Sequence, residues 1–154
     1  MKRRRRFGDR KEGRLLRTLP PMNKVSPYVM TNRIGAQNLI HDSIDIENIE
    51  NYIKKKRQEG LENFGVLHVI VASYIRAVSQ RPGINRYIAG YKIYSRNNID
   101  VIMTVKTKMS LEAAETEIKL RFQPDATADD VYRAFIEKVS EAKANEQKGE
   151  SSFD

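Results

Sequence analysis

Residues 64–83 read FGVLHVIVASYIRAVSQRPG. Leu67, Ile70, Val71, Tyr74, Ile75 and Val78 recur at i, i+3, i+4 spacing, which predicts an amphipathic helix from about Phe64 to Gln80. Its many β-branched residues lower intrinsic helix propensity, so this helix has to be stabilised by burial. Pro82-Gly83 ends it. The apolar run from Val66 to Ile75 is broken by His68 and Ser73 and is far shorter than the ~20 residues that span a bilayer, so no membrane segment is expected.

Upstream of that helix, Asn38-Leu39-Ile40-His41-Asp42-Ser43-Ile44-Asp45-Ile46 alternates loosely, as a strand does, and meets Asp45, a good helix cap. The helix opened there carries Glu47 and Glu50 in its first turn and Lys54-Lys55-Lys56-Arg57 before Gly60, the charge order a helix dipole favours. Downstream, Tyr91 to Ser95 and Ile99 to Lys106 read as strands joined by a turn at Arg96-Asn97-Asn98. Thr116, Ile118, Leu120 and Phe122 alternate with Glu115, Glu117, Lys119 and Arg121, which makes a third strand with one wet face. Thr127, with Asp130 three residues on, caps a last helix whose stripe is Val131, Ala134, Phe135 and Val139. Strand, helix, helix, strands, helix is the order of an α+β domain with helices laid on one face of a sheet.

The chain has 154 residues, 28 Lys plus Arg, 20 Asp plus Glu and no Cys. Without cysteine there is no disulfide framework, thiolate zinc site or thiol nucleophile, and a cytoplasmic location is the expectation. Charge is unevenly spread. Residues 1–17 hold nine basic side chains against two acidic ones, a surplus of +7, which leaves 19 against 18, or +1, for the rest. Residues 1–21 therefore read as a flexible basic arm closed by Pro20-Pro21, and residues 145–154 as a polar tail. The Arg3-Arg4-Arg5-Arg6 run can neutralise phosphates, giving weak nonspecific polyanion binding. With only Phe7 to stack on a base and no platform behind it, base-specific recognition is not expected.

At Ser43-Ile44-Asp45-Ile46-Glu47-Asn48-Ile49, and again at Arg81-Pro82-Gly83-Ile84-Asn85-Arg86-Tyr87-Ile88, the sequence resembles the first half of a known catalytic domain. That domain is shared by dihydrolipoamide acyltransferases, the acyl-transferring component of 2-oxoacid dehydrogenase complexes, and by chloramphenicol acetyltransferase. In the family a strand ends in an aspartate plus apolar pair that opens a helix, matched here by Ile44-Asp45-Ile46. A long apolar helix then stops at a turn of proline, two residues, and asparagine or arginine, matched by Pro82-Gly83-Ile84-Asn85-Arg86, and Asn98 to Val105 sits where the family has its next strand. The match covers roughly residues 24–122.

The resemblance implies a two-layer α+β sandwich with helices packed on one face of a mixed β-sheet, of which residues 22–144 would form the N-terminal portion. It also implies a homotrimer with active sites at subunit contacts. The implied activity is that of a transferase: an acyl group passes to or from the thiol of coenzyme A or lipoamide, which is a substrate and not a covalently held cofactor. Family catalysis rests on a His-x-x-x-Asp-Gly motif in the second half of the domain, and this chain has no such motif. A thiol of pKa about 8.5 is mostly protonated at neutral pH, so its attack needs a base such as imidazole. The tetrahedral intermediate needs a preorganised donor, which in the family also comes from the second half. The chain thus reads as a partial polypeptide or a diverged member without the chemistry, and no catalytic residue is assigned. A catalytically silent scaffold, and a non-enzymatic protein that uses its arm on nucleic acid or an anionic surface, are the alternatives.

His41-Asp42-Ser43-Ile44-Asp45 is literally His-x-x-x-Asp. Ile46 stands where the motif has glycine, however, and Asp45 already caps a helix, so His41 reads as a strand residue near the surface. His68, inside the apolar helix, reads as a packed histidine. Two histidines without clustered carboxylates predict no metal site. In the resembling family the stretch equivalent to Pro27–Arg33 lies beside the acyl-acceptor pocket, and an N-terminal arginine pairs with the aspartate of the catalytic motif. The resemblance makes Tyr28, Met30 and Arg33 the substrate-binding candidates, with Lys24 as the alternative to Arg33. The plain alternative is a surface connection whose Tyr28 and Met30 cover the core. Tyr87, Tyr91 and Tyr94 suit strand positions that need no ligand, and Lys54-Lys55-Lys56-Arg57 reads as surface charge.

Overall fold

The computed structural model describes residues 4–106 and 115–148, the last four by their backbone alone. Four helices, α1 (Pro21–Val29), α2 (Glu47–Gln58), α3 (Val66–Gln80) and α4 (Ala128–Lys148), accompany five strands in an α+β arrangement. β1 (Gly13–Leu15), β2 (Arg86–Ala89) and β3 (Lys92–Arg96) form one sheet in the order β1-β3-β2, while β4 (Ile99–Lys106) and β5 (Glu115–Phe122) form another. Both sheets are antiparallel, so the mixed sheet that the resemblance implied is replaced by two small ones.

The alternation expected of β5 is present. Ile118, Leu120 and Phe122 are buried, while Glu117, Lys119 and Arg121 face water. Full pairing from Ile99↔Phe122 to Lys106↔Glu115 places Ile99 on the same inner face. Val71, Ile75 and Val78 of α3 and Val131 and Phe135 of α4 complete the core over that face. On the outer face Asp100 accepts two hydrogen bonds from Arg121, at 2.8 and 3.2 Å, and lies 3.1 Å from Lys119. α4 opens as expected: the Thr127 N–H donates to Asp130 (2.9 Å) and the Asp130 N–H donates back to the Thr127 hydroxyl (3.3 Å).

Helix α2 starts where Asp45 accepts the N–H of Glu47 (2.9 Å) and stops at Gly60, whose φ of +99° closes the turn. Phe64, fully buried, joins α2 to α3 and α4 through an edge contact with Tyr52 and ring contacts with His68 and Tyr132. Lys56 of α2 reaches Asp129 of α4 at 2.8 Å.

Four expectations are corrected. Residues 38–46 form no strand: Leu39 is 85% exposed, and among the described residues no neighbouring strand supplies the ladder hydrogen bonds that an extended segment needs. Arg96-Asn97-Asn98 is not a hairpin turn, because β3 and β4 belong to different sheets. Asn85 Nδ2 instead holds the Asn98 carbonyl at 2.9 Å, so the chain crosses from one sheet to the next. The basic arm is not loose over its described part. Gly13–Leu15 pairs with Tyr94–Arg96, and the Asn97 N–H donates to the Glu12 carbonyl at 3.0 Å. Residues 145–148 of the expected polar tail continue α4, whereas residues 149–154, like Arg3 at the other end, lie outside the described residues.

Helix α3 carries apolar residues round more of its surface than the core uses. Ile75 is fully buried, but Leu67, Ile70 and Tyr74, assigned to the same stripe, are exposed. Among the described residues no helix is long and apolar enough to cross a membrane. Ile75→Ala should cost about 2–5 kcal/mol in urea denaturation, since a buried branched side chain leaves a cavity. Ile70→Ser, at a position 59% exposed, should stay within about 0.5 kcal/mol. Equal losses at the two positions would mean that both faces of α3 are packed.

Candidate functional site

Pro20 is extended (φ −52°, ψ 146°) and Pro21 occupies the first turn of α1, where a missing N–H costs nothing. Helix α1 therefore begins at the proline pair that closes the basic segment. It lies against β3, and the Tyr28 ring stacks on Tyr91 at 5.0 Å with 10° between the planes. Tyr91 reaches that position through the β2–β3 turn, where Gly90 (φ +56°) and Tyr91 (φ +57°) are both left-handed, as a type I′ hairpin requires. A tyrosine there is strained, and the Tyr28 stack offsets part of the cost.

Between α1 and the sheet lies a cleft of about 320 Å³. Leu16, Leu19 and Ile93 give it apolar walls, and Arg17, Lys24 and Lys92 give it cations. Its near wall is fixed by Asp9, which accepts the N–H of Arg6 (3.0 Å) and of Leu15 (3.1 Å) and pairs with Arg17 at 3.4 Å. Those N–H groups, the Arg6 one first, hold the Asp9 carboxyl below the usual carboxylate range. The cleft suits an apolar chain bearing an anionic group. Its lining offers no imidazole or carboxylate for proton transfer.

Of the three substrate-binding candidates, only Tyr28 lines this cleft, together with Lys24, the alternative to Arg33. Met30 caps α1 through its N–H to the Ser26 carbonyl (2.9 Å) and is exposed. Arg33 stands exposed at the start of a short turn of 3₁₀ helix, Ile34–Ala36. Neither histidine enters it. His41 is exposed in the irregular segment before α2, and the Asp45 carboxylate is committed to the Glu47 N–H. His68 accepts the Gly65 N–H through Nδ1 at 3.0 Å, with its ring among Phe64, Tyr132 and Phe135.

No family model matches the chain, and neither does any curated protein or any solved structure.

A second arrangement, on the smaller sheet, has no signature in the local sequence. Tyr87 and Tyr94 face each other across β2 and β3, with rings stacked at 5.2 Å. The Arg10 guanidinium lies over Tyr94 at 5.4 Å and that of Arg96 over Tyr87 at 4.9 Å. Gly13 makes room for this pile, because a Cβ there would come within 2.6 Å of the Tyr87 ring. The tyrosines are visible as strand residues, but their partners depend on β1 docking, which three residues of local pattern do not announce. Among the described residues no group of three or more His, Cys, Asp or Glu could hold a metal ion.

Burial lowers the His68 pKa from its ordinary value, and this outweighs the hydrogen bond to Gly65. With the folded value below the unfolded one of about 6.5, stability is complete above pH 6.5. It falls as pH drops below 6.5, because the unfolded chain takes the proton first, and levels off below the folded value. Thermal melts of the native chain and of His68→Gln between pH 8 and 5 check this. The substitution should flatten the slope below pH 6.5, and an unchanged slope would assign it to other groups.

Proposed function

We propose that this chain is the scaffold part of a thiol-dependent acyltransferase of the dihydrolipoamide acyltransferase and chloramphenicol acetyltransferase type. Its reactive imidazole is contributed by residues outside these 154. The observation that carries this reading is the cleft beside Tyr28, which combines Leu16, Leu19 and Ile93 with Lys24 and Lys92. Apolar walls accept the acyl or pantetheine chain of an acyl thioester, and lysine ammonium groups meet its phosphates. In the proposed mechanism this chain binds and orients the acyl thioester, and the second half of the site supplies the base and the oxyanion donor. His68 is committed to packing and to Gly65, so it is not that base.

The uncovered apolar side chains support the same reading. Leu67, Ile70 and Tyr74 on α3, with Leu39, Ile40 and Ile44 before α2, leave more apolar surface open than a self-sufficient fold requires. In the trimer implied by the resemblance, further chain would cover them.

Thiol release from acetyl-CoA by the natural protein, with an acceptor thiol or amine present, is the test. Turnover is expected, with Tyr28→Ala and Lys24→Gln raising KM about five- to twentyfold at nearly constant kcat, as for lost ground-state binding. His41→Gln and His68→Gln should leave kcat within about twofold at pH 8. Absence of turnover with both acetyl-CoA and acetyl-lipoamide overturns the reading.

A further inference from the structure

The N-terminal basic residues are built into the fold through residues 4–17, and this changes what they can do. Residues 6–9 turn back over the sheet face that carries Leu15, Tyr87 and Tyr94. The Arg6 carbonyl accepts the Asp9 N–H (3.0 Å), and a Cβ on Gly8 would touch the Leu15 side chain at 3.4 Å. The Arg10 and Arg96 guanidinium groups lie over Tyr94 and Tyr87 on that face, and Lys92 shares it by alternation along β3. The one carboxylate within the turn, Asp9, is spent on the Arg6 and Leu15 N–H groups and on Arg17. Among the described residues, Arg10 and Arg96 have no carboxylate partner, and Arg4 and Arg6 of the same basic segment are exposed. Phe7 stands fully exposed at the tip of the turn.

We propose that this face binds single-stranded nucleic acid, with Arg10 and Arg96 on the phosphate backbone and Phe7 stacking on a base. A guanidinium resting on an aromatic ring keeps its N–H fork directed outward, so little rotamer freedom is lost when it meets a phosphate. Tyr87 and Tyr94 have their faces occupied by each other and by the arginines, which leaves Phe7 as the free stacking surface of the patch. The interactions are backbone charge and one stacked base, so binding depends on salt and is indifferent to sequence. An acidic peptide would meet the same arginines but would gain nothing from Phe7. A duplex hides its base faces and would also leave Phe7 without a partner.

Fluorescence anisotropy with a labelled oligothymidylate of about 20 nucleotides, titrated with the full chain between about 50 and 200 mM salt, tests this. Phe7→Ala should weaken binding about tenfold. Arg10→Gln with Arg96→Gln should lower the slope of log affinity against log salt by about 0.7 for each phosphate that is no longer neutralised. Gly13→Val, which leaves the net charge unchanged but collides with Tyr87, should weaken binding at least fivefold if the docked arm is what binds. Lys54→Gln with Lys55→Gln on α2 should change affinity less than twofold. The proposal is overturned by any of three results: Gly13→Val and Phe7→Ala both binding like the native chain, a blunt duplex or polyglutamate binding as tightly as the single strand, or equal loss from the α2 variant. Circular dichroism on Arg10→Gln/Arg96→Gln and Phe7→Ala distinguishes a missing binding group from a damaged fold, because Phe7 touches no core.

Discussion

One face of one strand organises the larger half of this molecule. Ile118, Leu120 and Phe122 project from β5 onto α3 and α4, and each buried side chain of that size contributes about 1.5–3 kcal/mol. A two-stranded hairpin is marginal in water, so β4 and β5 persist because the two helices cover one face of the pair. The helices depend on the hairpin in return. Helix α3 is rich in β-branched residues and gains its stability where Val71, Ile75 and Val78 meet Ile99 and Leu120. A one-residue slip in the β4–β5 register would turn Ile118, Leu120 and Phe122 into water and bring Lys119 and Arg121 inward.

The smaller sheet rests on a different constraint, the space over Gly13. Tyr87 lies where a side chain at that position would be, and the Tyr87–Tyr94 stack, the two arginines and the β1–β3 ladder follow from that close approach. Asp9 adds the second fixing point, since one carboxylate gathers two backbone N–H groups and a guanidinium from three separate places in the first 17 residues. Sequence composition cannot weigh such a carboxylate. In a count of charges Asp9 is one of two acids against nine bases, whereas in space it is the pin that folds the basic segment back on itself.

The sequence is informative wherever the pattern is long and its partner local. Helices α2, α3 and α4, the Asp45 turn one residue ahead of α2's N-cap Ile46, the Thr127–Asp130 cap, the Gly60 stop and the wet face of β5 each follow from periodicity or from chemistry within a few residues. What is not legible depends on distant partners. Residues 38–46 have strand-like alternation but, among the described residues, no neighbour to pair with. Arg96-Asn97-Asn98 resembles a turn but joins different sheets, because β3 finds β1 from about 80 residues earlier in the chain. The left-handed pair Gly90-Tyr91 lacks the asparagine-glycine order that signals a type I′ turn, so that hairpin is hidden as well. Of the candidates that the resemblance names, Tyr28 and Lys24 line the cleft. Met30 and Arg33 fall outside the cleft because α1 ends at Val29, and the chain beyond it no longer follows the cleft wall.

The two ends of the molecule use charge differently. In the body, several cations have carboxylate partners: Lys56 meets Asp129 and Glu59, Lys119 and Arg121 share Asp100, and Lys138 meets Glu141. Hydrogen bonds from Arg121 and Lys119 hold Asp100 below the usual carboxylate range, and bonds to Asp129 and Glu59 raise Lys56. These are surface pairs of modest worth that leave the body nearly neutral. Arg10 and Arg96 have aromatic rings for partners in place of carboxylates. Rings hold a guanidinium in position without neutralising it, so the arginines keep both their charge and their outward donors. A fold that needed these residues only for packing would obtain similar coverage of Tyr87 and Tyr94 from uncharged side chains. Retaining the unneutralised charge costs self-repulsion in a segment that already carries a surplus of +7, and an anionic partner would offset that cost.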